Sequence, residues 1–253
     1  MHSGALRKWA LALTFWLALH VSSLKAQIFT APLQASTTGT NPVDFEFRAD
    51  GTLIAKGNSG VGTLLTGDQG SGTRMLWFPK LSAFRVGTVS GTDWDLSNIG
   101  QYSIAGGGDT TASGDYSAAF GCGSAATGYV AMTFGIGNTS SGYGSLAAGR
   151  FSTASGYGAF ALGFGNTSTG VFSMAVGSFT TASAYSAFVT GSYNVGGGTS
   201  NSSVATDPAF EIGNGTSSTD KSDAFVVYKN GNVIAQGSIQ VAPSGDIPMY
   251  TGS

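Results

Sequence analysis

The sequence predicts an all-β protein, a parallel β-solenoid of seven 14-residue rungs flanked by β-hairpins. Three observations carry this. Glycine fills 40 of 253 positions while charged residues make up only 9%, about twice and about a third of their usual shares. Between Gln101 and Gly198 the chain divides into seven consecutive 14-residue segments with glycine in register. Within each segment small and large side chains alternate with the period of two that belongs to a strand. Hydrophobic residues at 42% are too many for a disordered polar tract. Six prolines without a Gly-X-Y period exclude a collagen-like rod.

Residues 1–26 read as a secretory signal peptide. Arg7 and Lys8 precede an apolar stretch from Trp9 to Val21, and a polar run leads to a cut after Ala26. The apolar stretch falls short of the roughly 20 residues that span a bilayer core. Cleavage removes both histidines, His2 and His20, and leaves eight basic against 13 acidic residues. No nucleic-acid partner is expected from that balance, and no membrane span is expected in the mature chain.

Residues 27–44 follow as a linker and 45–57 as a β-hairpin. Phe45-Glu-Phe-Arg-Ala-Asp-Gly-Thr-Leu-Ile-Ala-Lys-Gly57 returns as Phe225-Val-Val-Tyr-Lys-Asn-Gly-Asn-Val-Ile-Ala-Gln-Gly237. Asp50-Gly51 and Asn230-Gly231 lie between alternating strands, where such pairs make tight turns. These hairpins read as caps over solenoid ends, or alternatively as ligand-binding tips. Residues 58–100 form an aromatic-rich connector. Trp77, Trp94, Arg74 and Arg85 are candidate ligand contacts there, a stacking platform with cationic help for a sugar; the same tryptophans could instead fill a cap.

The seven segments begin at Gln101, Asp115, Tyr129, Tyr143, Tyr157, Val171 and Tyr185. Their seventh residues are Gly107, Gly121, Gly135, Gly149, Gly163, Gly177 and Gly191, which we assign as structural turn residues. The fourteenth is glycine in all but Ala184. An aromatic sits at the first or second position throughout. Position four is mostly bulky, as in Ile104, Met132, Leu146, Phe160, Met174 and Phe188, whereas positions three and five are small. The bulky column is therefore expected to fill the core, and the small-residue face to bind other copies. Stacking at about 4.8 Å gives a rod of roughly 34 Å. A helix is excluded, because glycine recurs at least every seven residues at about 1 kcal/mol each. A finer unit of 28 residues is also present: Gly137-Asn-Thr-Ser-Ser-Gly142 returns as Gly165-Asn-Thr-Ser-Thr-Gly170.

The cores Ser103-Ile-Ala-Gly-Gly107, Ser117-Ala-Ala-Phe-Gly121, Ser145-Leu-Ala-Ala-Gly149, Ala159-Phe-Ala-Leu-Gly163 and Ser173-Met-Ala-Val-Gly177 resemble the S-V-A-I-G head repeats of YadA-like trimeric autotransporter adhesins. The 14-residue spacing is similar too. The resemblance implies a left-handed parallel β-roll, a homotrimer, and display at a bacterial cell surface, associated with the outer membrane, to bind host or matrix proteins. It covers the head repeats alone: the residues up to Ser253 show neither the coiled-coil heptads nor the barrel strands of that family. Similar blocks look like parts of phage tail fibres and exported bacterial surface proteins.

Residues 199–224 read as a linker, 225–237 as the second hairpin and 238–253 as a tail. Catalysis finds no support. Without a mature histidine there is no Ser-His-Asp triad or histidine metal site, and Cys122, the sole cysteine, can neither close a disulfide nor form a metal cluster. Asp93 and Asp95 read as turn acids rather than a hydrolytic pair. No cofactor, metal or catalytic residue is expected. The expected function is a non-enzymatic surface or fibre protein, a rigid display rod and adhesion module for a host or matrix protein or a surface glycan. The alternatives are a purely structural fibre segment and an ice-binding solenoid. The last rests on Thr111, Thr139, Thr153, Thr167 and Thr181, which share one rung position, with serine or threonine two residues onward.

Overall fold

The computed structural model describes residues 45–47, 53–55, 57, 59–60 and 70–237. The signal peptide (1–26), the linker (27–44) and the tail (238–253) lie outside them. Two units are present, Met1–Asn58 and Ser59–Ser253. In the first, β1 (Phe45–Phe47) pairs antiparallel with β2 (Leu53–Ala55), Phe45 opposite Ala55.

The second unit opens with an antiparallel pair, β3 (Gly72–Phe78) and β4 (Ala83–Val89). A regular coil follows, each turn contributing a long and a short strand. The long strands are β5 (Ile104–Gly108), β7 (Ala118–Cys122), β9 (Met132–Ile136), β11 (Leu146–Arg150), β13 (Phe160–Phe164), β15 (Met174–Ser178) and β17 (Phe188–Ser192). The short ones are β6 (Thr111–Ala112), β8 (Ala125–Ala126), β10 (Thr139–Ser140), β12 (Thr153–Ala154), β14 (Thr167–Ser168) and β16 (Thr181–Ala182). Long strands pair in parallel with long, short with short, each shifted by one 14-residue period. After β17 come β18 (Pro208–Asn214), parallel to β17, then β19 (Asp223–Tyr228) and β20 (Val233–Ala235), both antiparallel. The result is a 12-stranded sheet facing a six-stranded one.

The coil makes about six complete turns rather than seven rungs. Seven long strands are present, but no short strand follows β17. At the expected place stand Val195 and three glycines, Gly196–Gly198, all with positive φ, and the chain departs from the stack. Residues 199–224, read as a linker, contain β18, which continues the long sheet by one more parallel strand.

The second correction concerns what lies inside. Positions three, five, ten, twelve and fourteen of the first six segments are buried, as are three, five and ten of the seventh, and all hold Ala, Ser, Thr, Asn or Gly apart from Val189. The bulky position-four column faces outward instead: Ile104 is 36% exposed, Met132 40% and Phe188 39%. Alternation separates two faces without saying which is inner. Inside a 14-residue coil the two sheets lie too close for larger side chains, so alanine packs against alanine, as in Ala147, Ala154, Ala159 and Ala161.

The buried asparagines, and most of the buried serines, bond to the backbone, whereas the hydroxyls of Thr110, Ser117 and Thr133 have no partner among the described residues. Asn166 Nδ2 donates to the carbonyls of Leu162 (2.7 Å) and Gly177 (2.8 Å), while its Oδ1 accepts from Thr180 N at 2.9 Å. Asn138 does the same with Phe134, Gly149 and Ser152. Ser124 and Ser152 occupy that column in the intervening turns, each accepting from the next asparagine's N–H. This Asn/Ser alternation is the physical basis of the 28-residue unit.

Corners form at positions two and nine, where φ lies between +42° and +66°. Tyr102, Tyr116, Phe151, Phe172 and Phe179 take this left-handed conformation, at a cost of about 1–2 kcal/mol each. Stacking of rings from successive turns offsets it.

Candidate functional site

The solenoid offers two ends and four outward surfaces, each set by one column of the repeat. The ends come first because they hold the predicted ligand residues. Arg85 on β4 pairs in register with Ala105, so it occupies the interior column as one more turn would. It is fully buried and donates to the carbonyls of Phe84, Ser103 and Ala112 and to Ser103 Oγ, at 2.8–3.0 Å. Burial pulls its guanidinium down to about 10. Trp94 is also fully buried and donates through Nε1 to Thr110 O at 2.8 Å. Arg74 lies over the Trp94 ring at 5.6 Å, and Trp77 is 39% exposed. The four residues therefore do not share one ligand platform: Arg85 and Trp94 plug the first turn.

The opposite end mirrors this. Glu211 on β18 pairs in register with Val189, occupies the interior column and is 2% exposed. Asn194 Nδ2 donates to its Oε2. Desolvation pushes its carboxyl up to about 7, helped by the charge of Asp223 and opposed by the Asn194 hydrogen bond. Asp207 accepts from Thr199 N at 2.7 Å and lies 3.9 Å from Lys229 Nζ. Glu211 was not singled out from sequence, and Arg85 only as a candidate ligand contact, yet a signal exists. Ala83-Phe-Arg-Val-Gly87 and Ala209-Phe-Glu-Ile-Gly213 are degenerate copies of the repeat core with a charge replacing the inward residue.

The seven position-seven glycines, assigned to turns from the sequence, instead lie fourth in the long strands, with φ from +92° to +134°, while the corners fall at positions two and nine. A Cβ there would strike the carbonyl of the next turn's glycine: at Gly149 it would come 2.9 Å from the Gly163 carbonyl carbon and nearer still to its oxygen. Position fourteen differs. Gly156 needs no positive φ, but its Cβ would meet the Gly170 carbonyl carbon at 2.7 Å.

The first outward surface is the long sheet. Its positions four and six present Met132, Phe134, Phe160, Leu162, Met174 and Phe188, and Phe120 stacks on Phe134 at 5.8 Å. One edge of this face carries a ladder of Tyr102, Tyr116, Tyr129, Tyr143, Tyr157, Phe172 and Tyr185. Successive centroids are 4.8–6.1 Å apart. The other edge carries Phe151, Phe164, Phe179 and Tyr193, with Arg150 over Phe151 at 4.7 Å and over Phe164 at 5.7 Å. The fourth surface is the outer face of the short sheet. There the threonines of position eleven pair in register, and position thirteen is a serine or threonine from Ser113 to Ser183.

Little chemistry lies elsewhere. Asp93 accepts from Thr111 Oγ1 at 2.8 Å and Asp95 from Gly70 N at 2.6 Å, so both serve local structure. Cys122 is exposed and free. Among the described residues no group of three or more His, Cys, Asp or Glu could hold a metal, and no helix is long and apolar enough to cross a membrane.

A search of the curated proteins returned no match. The YadA head domain repeat, a family description covering two copies of the repeat, matches residues 99–124, 140–166 and 168–194. These ranges fall on the coil whose inward Ser/Ala columns and stacked glycines were described above, and residues 99–194 form a YadA-like head domain.

Proposed function

We propose that this is an exported, non-enzymatic surface or fibre protein whose solenoid assembles as a homotrimer and serves as a rigid display and adhesion module. The observation that carries the reading is the inside-out distribution of side chains. The coil buries mainly alanine and serine, and leaves a continuous column of Met, Phe and Leu on one flat face. Monomeric soluble proteins rarely expose contiguous apolar patches of this kind. Association through that face supplies the apolar burial that the thin interior lacks. The small-residue face expected to bind other copies is the lining of the coil and is unavailable for that role. Family membership of the repeats supports three copies and a place at the bacterial surface. The partner bound is a host or matrix protein or a surface glycan.

The test is retention of the full-length protein on glycan and matrix-protein arrays. Adhesion predicts saturable retention of the wild-type oligomer that excess soluble ligand competes away. No retention on any surface reduces the protein to a structural rod.

A second reading is favoured by the short sheet. Its two hydroxyl columns, the first interrupted by Ala125, stand about 4.8 Å apart between turns and about 7 Å apart along the strand, a flat grid suited to an ordered water lattice. Ice-crystal shaping, abolished by replacing Thr153 and Thr167 with lysine, is the outcome that supports it; unshaped discs exclude it.

A further inference from the structure

We propose that the two aromatic edges of the long sheet are complementary halves of one contact: the Arg150–Phe edge of one copy docks on the tyrosine ladder of the next. This rests on the assembly proposed above and specifies which residues meet.

The two edges are unlike. Between Gln101 and Gly198 the charged residues are Asp109, Asp115 and Arg150 alone. The two carboxylates serve local bonds, Asp109 accepting from Ser90 N and Asp115 from Gln101 N. Among the described residues Arg150 has no ion-pair partner. It is held over two phenylalanine rings, and Phe151 is 52% exposed. The cation seen against the opposite edge among the described residues is Lys229, 5.8 Å over Tyr185 and three turns from Arg150's height. Tyr143 and Tyr157 lie on that edge at Arg150's height, their rings 4.9 Å apart and 4° from parallel. Because they stack on each other, their faces point along the coil axis, and what the ladder shows outward is ring edges and hydroxyls. A guanidinium that donates to phenolic oxygens, with phenylalanine faces beside it to receive ring edges, fits that surface.

Closure supplies the occupant. A contact between unlike patches propagates head to tail and closes into a ring when the rotation permits. Copies whose long sheets face a common axis bring the trailing edge of each against the leading edge of the next. A like-to-like contact would instead set Arg150 against Arg150, with that edge's carboxylate, Asp109, three turns away and engaged by Ser90 N.

Cysteine pairing in the full-length chain tests this. In a Cys122→Ser background, Tyr143→Cys with Phe151→Cys should give on mild oxidation a covalent species of three chains on a denaturing gel, and each single variant only free chains. The two sites stand at opposite ends of a long strand, about 20 Å apart, so they cannot pair within one chain. Tyr157→Cys with Phe164→Cys is the second pair, and should behave alike. Native trimers with no covalent three-chain band for either pair overturn the proposed contact while leaving the trimer standing. Dimers from a single-cysteine variant overturn it in favour of like-to-like packing. Native monomers in the Cys122→Ser parent refute the assembly itself.

Discussion

Replacing Gly149 by alanine tests the stacking of the coil most sharply when compared with two other glycines. At Gly149 two costs combine. Alanine must adopt φ +108°, which costs about 1–3 kcal/mol. Its methyl must also share space with the Gly163 carbonyl, its carbon 2.9 Å away, and overpacking against backbone that cannot rotate away costs about 1–3 kcal/mol more. The sum is about 4 kcal/mol. Gly123 has φ +59° and nothing within 4 Å of an added Cβ, so alanine there should cost about 1 kcal/mol. Gly156 isolates the steric part and should fall between them. With urea slopes of about 2 kcal/mol per molar, Gly149→Ala should lower the midpoint by about 2 M and Gly123→Ala by about 0.5 M. The assay is urea unfolding followed by far-UV circular dichroism, at one protomer concentration because the proposed association would add to stability. Equal losses at Gly149 and Gly123 would refute close stacking as the reason for glycine at position seven.

Three further outcomes follow from the interior and the outer face. Glu211 has its carboxyl raised from an ordinary 4.5 to about 7, so its unfolded form ionises first. Stability should be greatest below pH 4.5, fall by about 3 kcal/mol as pH rises through 7, and level off above that; Glu211→Gln should flatten the profile measured by urea midpoints between pH 4 and pH 9. Asn166→Ala strands the Leu162 and Gly177 carbonyls and the Thr180 N–H, and should cost about 3 kcal/mol or more in the same assay. Phe160→Ser with Leu162→Ser removes two outward side chains, and should abolish association, read by sedimentation, while the β-sheet dichroism persists.

Much of this architecture is written in the period. Glycine at every seventh position of a 14-residue segment, with alternation between, predicts a stacked parallel coil over Gln101–Gly198, and the structure has one. Alternation alone, however, cannot distinguish inside from outside. Counting small residues around the whole turn would have done so: positions three, five, ten, twelve and fourteen are all small, and a coil this narrow admits nothing larger. The end of the coil was marked by Val195, which breaks the threonine column, and by Ala184. That alanine is tolerated because no seventh short strand stacks beyond it, and its methyl lies against Gly198. Arg85 and Glu211 were harder to read, because a charge in an apolar column ordinarily signals solvent. Here each satisfies or replaces backbone partners that a further turn would have provided. The candidate ligand residues Trp94 and Arg85 belong to that same closure. The corner conformation of tyrosine and phenylalanine was not legible either, since left-handed φ in bulky residues is an outlier, here repeated in register at ringless Val130 as well.

The central claim is that the outward Met, Phe and Leu column is covered by other copies of the chain. Sedimentation equilibrium of the full-length protein measures this directly. A mass of three chains, each of 25.5 kDa before any processing, and unchanged on tenfold dilution, is the predicted result. A single-chain mass with that column still exposed would contradict it.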